Sequence, residues 1–396
     1  MTEKLTVQGG SPRRMRSIGR GCPLFVHALL LVLLLFPVSE CRALTYYSLP
    51  PFPTGRLLYA QPTVRWTVWP VDGYRVTSVR MTLNGKRVPA RYAAADRAAV
   101  YVPTEPLSPG EYSVHCAVML DDENPLERDW RFTVAPSALL TLPEPDYEPQ
   151  RALDAANRFR ATVGLPDMRL DSRLCASADS HARYLDTNGE FGHFETPGHY
   201  DFVGRDLLER SAAFGYWGGG YEDVSYGSVN SLAAIQHLLD APYHRLPFMQ
   251  PGSPDFGMGR AGKQTALEFG LTRAEAVVVY PATDQTGVPR SWSGNEDPDP
   301  LRLHGVSGRT GYILTYAYFS PEPGKIRVQK ATLRDALGDE VRCFLNTPTN
   351  DSHLPNGVFL IPADPLRPVT TYTAEVRATN ASGRDISRRW SFTTGR

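Results

Sequence analysis

Imidazole and carboxylate groups fall close together in one stretch of the chain, where His181, His193, His199, His237 and His244 are interspersed with Asp201, Glu222 and Asp240. Such side chains ligate divalent metals or move protons near neutral pH. Their spacing matches no short catalytic motif. The sequence has no His-Glu-x-x-His pair, no Gly-x-Ser-x-Gly nucleophile turn and no Walker loop, and no Gly-x-Gly-x-x-Gly is read after a strand. Serine hydrolase, nucleotide-dependent, flavin and nicotinamide chemistries therefore lack their parts. Gly218-Gly219-Gly220 reads as a turn.

Lys plus Arg is 42 and Asp plus Glu is 42 in 396 residues, so no global field draws the chain to nucleic acid. That length implies more than one core. At the N-terminus Arg13, Arg14, Arg16 and Arg20 precede an apolar run, Leu24 to Phe36, interrupted by His27 and followed by Pro37. This is the layout of a secretory signal, with cleavage expected after Ala43, so residues 1–43 are assigned to a signal peptide and the mature chain to the exterior. An uncleaved membrane anchor and a lipoprotein at Cys41 are the rival readings, and Glu40 argues against the second. Cys116, Cys175 and Cys343 then remain, one per expected domain, without a C-x-x-C, and read as small buried hydrophobes.

The elements that must position these groups differ along the chain. From Thr63 to Val134 apolar residues alternate, as in Val64, Trp66, Val68 and then Val79, Met81, Leu83, before the hairpin signal Asn84-Gly85. The last hundred residues repeat the pattern. Val102-Pro103-x-x-Pro106-Leu107-x-Pro109 matches Ile361-Pro362-x-x-Pro365-Leu366-x-Pro368, and Tyr112 and Tyr372 are each followed at equal distance by Trp-x-Phe-Thr, at Trp130 and Trp390. Residues 57–136 and 300–396 are therefore expected to be related all-β sandwiches, with the Trp and Phe residues in their cores; they resemble the immunoglobulin-like repeats of bacterial surface proteins.

Between them the apolar period becomes 3.6: Leu153, Ala156, Val163; then Leu174, Ala178, Ala182, Leu185; then Leu232, Ile235, Leu239. Three helices are predicted, with Asp171 or Ser172 capping the second and Asn188-Gly189 ending it. Strand-like runs Ala266 to Phe269 and Ala276 to Tyr280 close an α+β domain over residues 148–281. Proline-bearing linkers are expected at Leu142–Pro149 and Asp284–Asp299.

Several landmarks of this middle segment occur in the order of one family. Asn157-Arg158-Phe159-Arg160 with Gly164-Leu165-Pro166, His181-Ala182, Gly189-Glu190-Phe191-Gly192-His193, Tyr221-Glu222-Asp223-Val224, Ala241-Pro242-Tyr243-His244-Arg245 and Phe256-Gly257-Met258-Gly259 together resemble the CAP superfamily of SCP-like extracellular proteins. The resemblance implies an α-β-α sandwich with an open groove, its first sheet strand being Phe256-Gly257-Met258-Gly259. It also implies a site at His193, Glu222 and His244, suited to a divalent metal such as zinc, with no other cofactor. Two departures stand out. The family's Gly-Glu-Asn is Tyr221-Glu222-Asp223 here, and the second glutamate of the eukaryotic tetrad has no match, Asp240 being the candidate replacement. His181, His199, Asp201 and His237 read as loop or helix-face residues, and Tyr216, Trp217 and Tyr243 as candidates for the groove wall.

The reading is a secreted or cell-surface protein whose groove engages a lipid, a peptide or a cell-wall component without catalysis. The alternatives are a metal-dependent surface hydrolase using His193, Glu222 and His244, and a structural or adhesive surface protein.

Overall fold

The computed structural model describes residues 46–396 apart from 72, 122–124, 295 and 323; the expected signal segment, with Cys22 and Cys41, lies outside the described residues. Two compact units are present, one containing residues 61–134 and the other residues 135–396.

In the first unit, Tyr46–Ser48, Val64–Pro70, Ala98–Tyr101 and Arg91–Ala93 share one sheet. Pro125–Leu139, Gly110–Leu120, Val76–Leu83 and Lys86–Val88 are neighbours in another, although residues beyond Val134 count with the second unit. Asn84 and Gly85 both have positive φ, as the two-residue hairpin requires. The internal repeat is visible in register: Tyr112 pairs with Phe132 and stacks on it at 5.2 Å, and Tyr372 pairs with Phe392 and stacks at 5.8 Å.

The middle domain opens with α1 (Tyr147–Thr162), capped by Asp146, followed by β1 (Arg169–Leu170) and α2 (Ser172–Asn188). Asp171 caps α2 by accepting from the amides of Arg173 and Leu174, and Gly189 ends it in the left-handed conformation. Then come α3 (Leu207–Ala213), β2 (Gly220–Tyr226), α4 (Ser231–Asp240), β3 (Asp255–Ala261) and β4 (Gln264–Gly270). The seven-residue helix α3 has no counterpart among the three predicted helices, being too short to show a period. The sheet order is β1-β3-β4-β2, so β2 is an edge strand, and β1 and β2 both precede the strand that sequence placed first.

Each face of this sheet has its own cover, which makes the domain a three-layer α-β-α sandwich. On one face α2 presses so close that a Cβ on Gly257 would lie 2.3 Å from the Leu174 backbone, and one on Gly259 would lie 1.9 Å from the Asp179 nitrogen. These glycines answer to helix packing. The run Gly257 to Gly262 spells Gly-x-Gly-x-x-Gly, but it lies in β3 and the hairpin after it, and opens no helix. On the other face Phe256, Met258, Leu267 and Phe269 pack with Ala156 and Phe159 of α1 and Ile235 and Leu238 of α4 in one apolar cluster.

Ala276–Tyr280, expected to close the middle domain, pairs instead with Leu314–Phe319 as an edge of the C-terminal module. Alternation alone gave that strand no partner. Its sheet continues with Gly357–Pro362 and Cys343–Asn346. The opposing sheet runs Gln285–Val288, Arg388–Thr394, Thr371–Thr379, Arg327–Arg334 and Glu340–Val341. Both sheets supply one core, with Val279, Tyr316 and Leu360 from the first and Val376, Trp390 and Phe392 from the second. The expected linker Asp284–Asp299 is likewise structured, since Gln285–Val288 joins that sheet, Ser291–Trp292 pairs with Thr310–Gly311, and Trp292 is buried. Among the described residues no helix is long and apolar enough to cross a membrane.

Candidate functional site

Strand alternation puts Glu222 of β2 on the α2 face, directly opposite Glu268 of β4. The turn after α2 carries His193 back over β2, where its Nδ1 lies 3.0 Å from Glu222 Oε1. Helix α3 supplies Arg210, which donates to Glu222 Oε2 and, at 3.1 Å, to the carbonyl of His193. His181, read from sequence as a helix-face residue, is instead fully buried between Glu195 Oε1 and the Gly192 carbonyl, each 3.0 Å away. Glu195 in turn accepts from the amides of Val203 and Gly204.

Charge is unevenly placed in this network. Burial pushes the Glu222 carboxyl up, but Arg210, His181 and His193 outweigh it and hold the group well below the usual carboxylate range. Glu268 goes the other way. Burial, then the neighbouring negative charge of Glu222, raises its pKa well above normal, and its Oε1 accepts from Ser177 at 2.8 Å. The register pair thus holds one ionised and one protonated acid, as expected when two carboxylates share an interior site.

His244 follows α4 on the other side of the edge strand. Its Nδ1 is 2.6 Å from Glu296 Oε1, and the Tyr243 amide donates to Glu296 Oε2 at 2.7 Å. Burial lowers the His244 pKa, Glu296 partly offsets this, and the charge of His193 opposes that of His244, so the two imidazoles lie within electrostatic range. Glu296, and not Asp240, is the carboxylate beside His244. The Asp240 backbone carbonyl instead accepts from Trp292 Nε1 and Arg245.

Neighbouring motif residues prove structural. Fully buried Arg160 donates to the carbonyls of Pro166, Phe248, Gln250 and Gly252, stapling the loop after α4. Arg245 donates to Ile313, Thr315 and Tyr312 and lies over the rings of Tyr280 and Tyr312. Tyr243 donates to Asp351 and packs on Phe359, so it faces the C-terminal module. Tyr216 is buried against Asp255 and Arg173, leaving Trp217 half-buried. His199 remains a partly exposed loop residue beside Glu190, Asp201 accepts from Thr187, and His237 lies 3.3 Å from Ser228.

The structure thus joins His193 to Glu222 and sets His244 within electrostatic range. It does not assemble three metal donors. Both oxygens of Glu222 are engaged by His193 and Arg210, a buried guanidinium repels a dication, and among the described residues no three His, Cys, Asp or Glu are placed to share an ion. That arrangement does not fit a three-ligand zinc centre.

Residues 153–272 match the model of the cysteine-rich secretory protein family, CAP, and this part of the chain is a CAP domain. No curated protein matches the sequence. Among solved structures, an extracellular SCP-domain protein from Bacillus anthracis is 17% identical, over 58% of this chain and 87% of that one, at a TM-score of 0.28. A cysteine-rich secretory protein from Staphylococcus aureus is 10% identical over 58% and 84%, at 0.21. Fibronectin(III)-like modules from Clostridium thermocellum are 8% identical over 88% and 94%, at 0.19.

Proposed function

We propose that this chain is a secreted, non-enzymatic binding protein whose CAP groove, between His193 and His244, takes up an extracellular lipid, peptide or cell-wall component, with the β modules presenting the groove at a cell surface. The observation that carries the reading is the state of Glu222. Both of its oxygens are engaged and its charge is neutralised by Arg210, so neither a general base nor a metal-ligand role is open to it in this arrangement.

Uptake by the purified chain of muropeptides, or of vesicles of phosphatidylglycerol, tests the reading. The paired variant His193→Ala, His244→Ala should weaken that uptake about tenfold, the loss of one or two hydrogen bonds. Near-stoichiometric metal that disappears in the same variant, together with turnover of an ester or peptide substrate, would replace this reading with the hydrolase.

A further inference from the structure

Ala276–Tyr280 is an edge strand of the C-terminal module, paired with Leu314–Phe319 on one side only. The direction of its free backbone groups follows from register. The Tyr318 amide donates to the Asn356 carbonyl at 2.8 Å, away from the edge, so the groups of Ala317, one residue back, turn the other way and meet Val278. Alternation then points the N–H and C=O of Val277 outwards, and no hydrogen bond from a described residue reaches them. Sheet edges are commonly guarded by a charge, a proline or a bulge. Ala276-Val277-Val278-Val279-Tyr280 pairs without a register shift and contains none of these, Pro281 lying just past its end.

The space beside this edge is shaped. A cleft of about 370 Å³ is lined by Ala276, Val277 and Tyr318 from this sheet and by Ile386 and Arg388 from the hairpin that opens the last strand of the opposing one. Charge at the rim is matched in all but one place. Arg384 pairs with Glu275, which also accepts from the Tyr318 hydroxyl at 2.8 Å, and Asp385 accepts from the Ser387 amide at 2.9 Å. Exposed Arg388 reaches the Thr283 hydroxyl at 3.5 Å and has no carboxylate within ion-pair distance among the described residues.

We propose that this edge takes an extended peptide segment of a partner protein as a further strand, with an acidic side chain of that peptide on Arg388. An extended backbone fits because it brings a C=O and an N–H to Val277 at strand spacing, and its alternate side chains turn into the cleft beside the edge. The surface belongs to the β module and does not depend on the groove reading above.

Fluorescence anisotropy of a short labelled peptide that alternates valine with aspartate, titrated with the full chain, tests the proposal. Saturable binding is expected, weaker when lysine replaces aspartate in the peptide. Methylation of the peptide nitrogens along its pairing edge should abolish it, since that removes the backbone donors and leaves the side chains. Val277→Pro deletes an amide that makes no ladder bond, a position where an edge strand tolerates proline, so the module should fold and affinity should fall about tenfold. Arg388→Glu should weaken the aspartate peptide about fivefold and reverse its advantage over the lysine peptide, which gives a second reading should Val277→Pro fold poorly. In the complex the Val277 amide should exchange with solvent more slowly than in the free chain. Absence of saturable binding, or binding indifferent to peptide methylation and to Val277→Pro, overturns the proposal. A dimer of the wild type that Val277→Pro dissolves would give the edge to a second copy of this chain and overturn it equally.

Discussion

The register pair Glu222 and Glu268 makes a quantitative demand on stability. Glu268 is buried opposite an ionised carboxylate and keeps its proton in the fold, whereas in the unfolded chain it ionises near pH 4.3. Its folded pKa is raised, so its stabilising share is full below the unfolded pKa and is lost as pH rises towards the folded one. In that window stability falls by about 1.4 kcal/mol per pH unit, a factor of ten in the opening equilibrium. Glu268→Gln resembles the protonated acid and cannot titrate. Between pH 4.5 and 6.0, the amide protection of β4 in the variant, relative to wild type, should therefore grow by about twentyfold, or roughly 1.8 kcal/mol. Hydrogen exchange of the Gln264–Gly270 peptide, corrected for intrinsic exchange at each pH, measures it. A ratio that stays constant over that range would mean that Glu268 is ionised in the fold, and the assignment of one charge to the pair would be wrong.

Two further outcomes follow from the same geometry. Gly259→Ala sets a Cβ against the α2 backbone at Asp179, which cannot yield as a side-chain tip would, so thermal unfolding should show a loss of about 3 kcal/mol; an unchanged midpoint would refute the close helix-strand contact. Glu296→Gln removes the charge that partly offsets the burial of His244, so the imidazole pKa read by NMR should fall further; stability, present above about pH 6.5, should then be lost more steeply as pH falls. An unmoved titration would show that Glu296 does not orient His244.

What the sequence disclosed and what it hid have physical causes. Helices α1, α2 and α4 were legible because each buries one stripe of a regular period and is bounded by local signals, such as Asp171 at one end of α2 and Gly189 at the other. The paired sandwiches were legible because Tyr112 and Tyr372 keep the same offset to Trp130 and Trp390, and register turns that offset into stacked cross-strand pairs. The site was legible only as far as motif order reached. His193, Glu222 and His244 carry recognisable neighbours, whereas Glu195, Glu268 and Glu296 sit in segments whose local pattern is indifferent to their charge. The one available signal for Glu268 was its place in a strand otherwise apolar or small, Ala266 to Phe269, where a carboxylate must find a partner.

Glu296 shows the limit most clearly, because its meaning depends on a contact between distant segments that no local rule encodes. A proline-bearing stretch reads as a spacer, yet Trp292 buries itself beside the α4 terminus and brings Glu296 to His244. The junction is reinforced from the other side by Arg245 on Tyr312 and Thr315, and by Tyr243 on Asp351. The middle domain cut at residue 281 would therefore keep His193 on Glu222 but lose the carboxylate that fixes His244. In this chain the carboxylate that fixes His244 comes from the segment that leads into the C-terminal module, and changes in that segment reach the imidazole through Glu296.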